Sequence, residues 1–172
     1  MMECGDKGSF LVLLGRILFR GISSISLDNK GRVAIPTRYR DELQECCERQ
    51  LVVTVAVDEK CVGEPGCLWL YPLPEWEKLE QTISKLPTLN KMAGQLKRFL
   101  IGNASECEMD SQGRLLLPEK LREFATMEKQ IMLVGQLNKF ELWNEIAWQA
   151  KEQAWLNGSD SEGLAELGSL SF

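Results

Sequence analysis

The chain contains no histidine. This excludes histidine triads, histidine general bases and histidine metal ligands together. Long apolar runs are missing too. Near the start the longest, Phe10 to Leu14, has five residues, far short of the ~20 needed to span a bilayer. The six cysteines, Cys4, Cys46, Cys47, Cys61, Cys67 and Cys107, include no C-x-x-C pair. That reads as a reduced chain, not a disulfide framework. A zinc set drawn from Cys61, Cys67 and Cys46 or Cys47 would have a spacing unlike that of zinc ribbons and knuckles. There is no G-x-S-x-G elbow and no phosphate-binding P-loop, so the common sequence marks of hydrolases and nucleotide-binding enzymes are lacking. Spacing alone leaves room for a carboxylate mechanism on Asp28 and Asp110. Nothing else in the sequence supports an enzyme, a cofactor or a metal.

What is present suits a globular chain. Of 172 residues, 44% are apolar and 26% charged, enough to bury a core. The net charge of −5 is unevenly spread. Between Arg16 and Arg40 stand Arg16, Arg20, Lys30, Arg32, Arg38 and Arg40 against Asp28 alone, so this segment is +5 and the remainder −10. Exposed charges more than about 8–10 Å apart are largely screened at cellular salt. A local basic patch therefore meets an anion even on an acidic protein. The alternative is a merely solvated face.

Self-similarity is the strongest feature. Residues 28–43 read DNKGRVAIPTRYRDEL and residues 110–125 read DSQGRLLLPEKLREFA, at an offset of 82. Asp28/Asp110, Gly31/Gly113, Arg32/Arg114, Pro36/Pro118 and Arg40/Arg122 coincide, as do apolar Val33/Leu115 and Ile35/Leu117. Farther on, QLVVTVAVDEKC resembles QIMLVGQLNKF at an offset of 80, and LWLYPLPEWE resembles FELWNEIAWQ at 72. An ordered series with steady drift indicates a tandem duplication, the first copy having a longer hairpin loop in DEKCVGEPG.

Each copy is expected to run strand, tight turn, strand, helix, hairpin, helix. In copy one, Ile22–Leu27 alternates as a strand, Asp28–Gly31 turns and Arg32–Ile35 returns. Pro36 then stops the sheet and opens a helix to about Cys47. Leu51–Val57 and Cys67–Tyr71 follow as strands. In copy two the same order predicts strands Ala104–Met109, Arg114–Leu117, 131–136 and Lys139–Trp143, with a helix over 118–127. A last helix spans Glu145–Leu156, with Trp148 and Trp155 on one side. Between the copies, Trp76, Leu79, Ile83 and Leu86 form one helical stripe, and Leu89, Met92, Ala93, Leu96 and Leu100 a second. A copy of about fifty residues has too little core alone. Two copies pairing about a pseudo-twofold axis predict one composite barrel-like domain.

Leu18–Gly21 (LFRG), Leu27–Arg32 (LDNKGR) and Ile35–Arg40 (IPTRYR), together with Asp110–Arg114 and Leu117-Pro118, resemble the MraZ family of bacteria. The resemblance spans about residues 18–156. It implies an α+β fold, a tandem-repeat, swapped-hairpin AbrB-like β-barrel with flanking helices. The domains expected are a first repeat over 18–76, a helical connector over 77–102, a second repeat over 103–156 and a flexible tail over 157–172. Family members begin Met-Phe-Arg-Gly, and Leu18 stands at that methionine. Residues 1–17 are thus expected to be a disordered extension or an artefact of the assigned start.

The resemblance further implies a cytoplasmic, nucleoid-associated, sequence-specific regulator of transcription. Its partner is double-stranded DNA, namely short G-rich direct repeats in its own promoter, upstream of the division and cell-wall gene cluster. It forms a ring-shaped homo-oligomer and has no membrane partner. The DNA-binding candidates are Lys30, Arg32, Arg38, Arg40 and Arg114. An arginine at a strand end bonds bidentately to guanine O6 and N7, and Lys30, Arg38 and Arg40 would contact phosphates. Asp28, Gly31, Asp110 and Gly113 are expected to shape the turns, the aspartates by capping the turn or by holding the arginine. From spacing alone, Arg32 and Arg114 fit either a structural Asp–Arg pair or a DNA reader. The resemblance favours the reader for Arg32. Arg114 stays open, because residues 110–122 carry +1 against +3 for residues 28–40. A non-enzymatic oligomeric interaction or antitoxin-like scaffold protein is the alternative.

Overall fold

A computed structural model describes residues 18–58 and 63–158. The expected extension 1–17, most of the expected tail and the tip of the longer hairpin lie outside the described residues. In chain order the elements are β1 (Ile22–Ser26), β2 (Arg32–Ala34), α1 (Thr37–Cys47), β3 (Gln50–Val57), β4 (Gly63–Pro72), α2 (Leu73–Ser84), α3 (Lys91–Leu100), β5 (Ser105–Glu108), β6 (Arg114–Leu116), α4 (Glu119–Phe124), β7 (Gln130–Gly135), β8 (Phe140–Asn144) and α5 (Glu145–Leu156). The two copies thus repeat one element order, and the offsets of 80 between β3 and β7 and 72 between α2 and α5 match the sequence drift.

Local chemistry sets the boundaries. Pro36, Pro72 and Pro118 stand at the N-caps of α1, α2 and α4 with φ near −55°, where a locked φ suits helix entry and a strand ladder loses its N–H. Asn90 and Asn144 cap α3 and α5 by accepting two backbone N–H groups each, satisfying donors that a helix start leaves free. At its far end α1 stops at Glu48 and Arg49, both with positive φ.

Strand pairing is where the copies meet. The six-stranded sheet has the order β1-β7-β8-β4-β3-β5, every neighbour antiparallel. Exchanging the copies reverses this order onto itself, which is the signature of a pseudo-twofold axis between β4 and β8. The first strand of each copy lies against the third strand of the other: Ile22 opposite Val134, and Val53 opposite Ser105. β2 and β6 form a separate two-stranded ribbon, with Arg32 opposite Leu116, Val33 opposite Leu115 and Ala34 opposite Arg114.

Two expectations are corrected here. The strands flanking Asp28–Gly31 do not run on as a hairpin. One bridge, Leu27 to Val33, closes beside the turn. The strands then part, because β1 is taken up by β7 and β2 by β6. Nor does the hydrogen-bonded ladder of the described residues close into a barrel: it is a six-stranded sheet with β1 and β5 at its edges, plus the ribbon.

The core explains the exchange. One buried cluster takes matched residues from both copies: Val33 and Leu115, Ile35 and Leu117, Leu43 and Ala125, Leu51 and Ile131, Val53 and Leu133, Leu70 and Leu142. Each side chain of this size gains about 1.5–3 kcal/mol from burial, and neither copy encloses the cluster alone. The other sheet face is covered by α2 and α3 over Val52 and Tyr71, and by α5 over Cys67 and Trp143. β3 is therefore buried on both faces, which is why it reads as an unbroken apolar run. Of the second expected stripe, Ala93 and Leu100 are buried, whereas Leu89 and Met92 are exposed. Leu89 precedes the Asn90 cap, so helical periodicity does not reach it.

A fragment of residues 18–102 lacks the partners of β1, β2 and one side of β3. It is expected to show no folded monomer by sedimentation and circular dichroism. A monomer with a cooperative melt would contradict the strand exchange.

Candidate nucleic-acid interface

The two turns are built alike, atom for atom. In the first, Asp28 Oδ1 accepts the backbone N–H groups of Lys30 and Arg32, each at 2.9 Å. Its Oδ2 accepts Arg32 Nε at 2.8 Å and lies 2.8 Å from Nη2 in an ion pair. In the second, Asp110 Oδ1 accepts the N–H groups of Gln112 and Arg114 at 2.9 Å, and Oδ2 accepts Arg114 Nε at 2.8 Å. Each aspartate both caps its turn and holds its arginine. The N–H of Arg32, first among the causes, holds the Asp28 carboxyl below its ordinary 3.8, and that of Arg114 does the same for Asp110. Both carboxylates are engaged in shaping their turns and orienting their arginines.

The strand register decides where the arginines point. Residues directly opposite in an antiparallel pair share a face, as do residues two apart. Val33 and Leu115 are fully buried, so Arg32, Ala34, Arg114 and Leu116 share the outer face. The turns sit at opposite ends of the ribbon. Leu117 N–H donates to the Gly31 carbonyl at 2.9 Å, and Ile35 N–H to the Gly113 carbonyl at 2.8 Å. The arginines are offset by two residues along the ribbon, about 7 Å at strand rise. Each guanidinium carries five N–H donors, so after the aspartate bonds at least three remain on each. The partial exposure of both side chains, 27% and 35%, leaves those donors accessible. Two such arginines on a two-stranded ribbon fit the width of a DNA major groove.

The remaining candidates divide. Lys30 is exposed in the first turn. Arg38 is exposed, with Nη2 on Ser23 Oγ at 2.7 Å and its guanidinium 4.6 Å from the Tyr39 ring centre. Arg40 is half-buried. Its Nε donates to the Ile35 carbonyl at 2.7 Å, and its side chain lies under the opposite turn, where a Cβ on Gly113 would overlap it. Arg122 does the same for copy one, donating to the Leu117 carbonyl at 3.0 Å and packing under Gly31. Gly31 and Gly113 have φ of 80° and 76°, a region that β-carbons disfavour. Each glycine is needed for its turn and for the crossing arginine.

A groove of about 590 Å³ flanks the ribbon on the copy-one side, lined by Ser23, Ser24, Ser26, Thr37, Arg38 and Arg40 among others. At the offset of 82, Ser24, Ser26 and Thr37 become Glu106, Glu108 and Glu119. One flank is hydroxyl-lined and basic; the other keeps basic Lys120 and Arg122 and adds three carboxylates. Sequence reasoning treated the arginine turns as separate loops and passed over Ala34 and Leu116. The usable signal was strand alternation, which puts residues 32 and 34, and 114 and 116, on the face opposite buried 33 and 115. Among the described cysteines of the zinc reading, Cys47 lies in the central cluster and Cys67 in the cluster under α5; Cys61 is outside the described residues. Among the described residues no helix is long and apolar enough to cross a membrane.

Duplicated turns, exchanged strands and a shared arginine ribbon define a tandem-repeat, strand-exchanged protein. The model of the family described as "MraZ protein, putative antitoxin-like" matches residues 18–99 and again 100–166, so the chain belongs to the MraZ family. A protein named transcriptional regulator MraZ from Methylococcus capsulatus is 55% identical over 159 residues, covering 90% of this chain and all of that protein. Namesakes from Thioalkalivibrio sulfidiphilus and Pseudomonas aeruginosa are 47% and 53% identical. The first covers 90% of this chain and all of its own, the second 80% and 87%. These relatives are named for regulation, not for a catalytic activity.

Because the aspartate pKa values are lowered, the turns contribute stability that is whole above the unfolded-state value near 4. It is lost as pH falls through the lower folded values. Carboxyl-carbon NMR titration should find Asp28 and Asp110 below 3.8, and Arg32→Gln should raise Asp28 alone.

Proposed function

We propose that this protein is a sequence-specific DNA-binding regulator of transcription, reading G-rich direct repeats in its own promoter through the outer face of the β2–β6 ribbon. One observation carries the reading: both D-x-x-x-R motifs converge on a single exposed ribbon, each arginine oriented by an aspartate that takes fewer than half of its donors. Arg32 and Arg114 read guanine edges. Lys30 and Arg38 meet phosphate on the basic flank, and Arg40 adds its outer amino groups while its Nε holds the fold. The acidic flank of copy two turns away from the duplex.

In this reading the repeats over 18–76 and 103–156, joined by the helical connector 77–102, form an AbrB-like swapped-hairpin unit in which the ribbon packs on an open sheet. One ribbon gives modest affinity. Several in a ring multiply it when DNA repeats match their spacing. The promoter is that of the division and cell-wall gene cluster, and the protein works in the cytoplasm at the nucleoid.

The test is an anisotropy titration on a duplex with tandem G-rich boxes against a scrambled duplex, at two salt concentrations. Wild type should prefer the boxes and weaken with salt. Arg32→Ala and Arg114→Ala should each lose about 5- to 150-fold, the value of about 1–3 kcal/mol for a bidentate contact. Arg32→Lys should keep salt-dependent binding and lose the preference, since lysine lacks the planar fork. Equal affinity for both duplexes would favour the alternative, an oligomeric interaction or antitoxin-like scaffold, for which the family description speaks.

A further inference from the structure

The outer face of the ribbon holds four side chains, and two of them are not explained by guanine reading. Leu116 is 55% exposed in a chain that buries its large aliphatic side chains almost everywhere else on the sheet. It stands directly opposite Arg32, and Ala34 stands directly opposite Arg114. Opposed residues on one face have Cβ atoms about 4.5–5.5 Å apart. Leu116 therefore shares the immediate surroundings of Arg32, whereas the residue directly opposite Arg114 offers only a methyl. The ribbon is twofold in its arginines and not in its apolar pair.

We propose that Leu116 is a specificity-determining residue that packs on the 5-methyl group of a thymine next to the guanine read by Arg32. This inference rests on the DNA reading above. The occupant follows from the setting. Leu116 is bracketed by two guanidiniums with free N–H donors on a ribbon of groove width, and Lys30 adds charge in the first turn, so this face suits the groove of a nucleic acid. The apolar group a major groove offers there is the thymine methyl. The separation from Arg32 puts the contacted base pair within one or two steps of its guanine. Ala34 is too short to do the same beside Arg114. The ribbon then reads an asymmetric G-and-T element in one direction along the duplex. A directional element suits direct repeats, whereas a symmetric ribbon would favour a palindrome.

The experiment starts from a duplex enriched by the wild-type full chain from a random-sequence pool. Thymines are replaced one at a time by deoxyuridine, which removes only the methyl. For wild type, one substitution within two steps of the Arg32-dependent guanine should weaken binding about three- to fivefold, the worth of one buried methyl. Leu116→Ala should bind the thymine and deoxyuridine duplexes equally while keeping its dependence on Arg32. Ala34→Leu should create a new methyl-sensitive position beside the Arg114-dependent guanine. Retention of the wild-type thymine preference in Leu116→Ala would overturn the proposal. So would a shift in sedimentation of Leu116→Ala with unchanged methyl sensitivity, because Leu116 would then cover protein. Wild type that enriches no sequence at all would defeat the DNA reading itself. Arg32-dependent binding without any methyl effect would defeat only the assignment of Leu116.

Discussion

The antiparallel pairing of β2 with β6 is the contact on which the rest of the molecule depends. It is only three residue pairs long, yet it joins the two copies at the point where each has just turned on its aspartate. The Gly31 and Gly113 carbonyls accept the N–H groups of Leu117 and Ile35 across it. Arg40 and Arg122 pass beneath the opposite turns and lock them from the inside. The buried side of the ribbon closes the central cluster with Val33 and Leu115, and its outer side carries the arginines. A substitution that separates these strands would remove the core's lid and the arginine face in one step.

Much of the element order was legible in the sequence because its causes are local. Proline marks helix entry at residues 36 and 118, Asp-x-x-Gly marks the turns, and the runs 51–57 and 131–134 are β-branched or aliphatic. The last helix, Glu145–Leu156, agrees residue for residue. The strand partners were not legible, because Ile22 pairs with Val134 and Leu51 with Cys107, and no local propensity encodes a choice among distant edges. The site was half legible. The repeated Asp and Arg were evident from spacing, and their union on one face was not, since it follows from a register that only the fold supplies. Arg40 shows the same limit: its charge suggests phosphate, while its Nε and half-buried stem serve the opposite turn.

Fusing two copies into one chain lets the halves of a symmetric design diverge. In a homodimer every substitution appears twice, and the paired surface must remain self-complementary. Here the inward positions remain apolar in both copies, as Val33/Leu115, Ile35/Leu117 and Leu51/Ile131 do. The outward ones differ: Lys30/Gln112, Ala34/Leu116, Ser24/Glu106 and Ser26/Glu108. The interior tolerates little change because it is packed as closely as a crystal. The exterior is free to become basic on one flank and acidic on the other. Glu106 and Glu108 have a further use where they stand, since charge along an exposed sheet edge such as β5 discourages pairing with another chain.

The Asp–Arg pairing also bears on how such a site would divide affinity from specificity. Asp28 offsets the charge of Arg32, and Asp110 that of Arg114, so the second turn is neutral and the first is positive only through Lys30. A neutralised guanidinium attracts phosphate weakly at a distance, which limits non-specific binding. Its free N–H donors remain fixed in direction, so a well-placed guanine still gains the full geometry of two bonds. Ordering a loose arginine on binding would forfeit side-chain entropy, up to about 2 kcal/mol, and here the aspartate has already imposed that order. The pair thus trades general attraction for selective contact. In the proposed reading, affinity must then come from elsewhere: from Lys30 and Arg38 on the basic flank, and from repetition of the ribbon along repeated DNA.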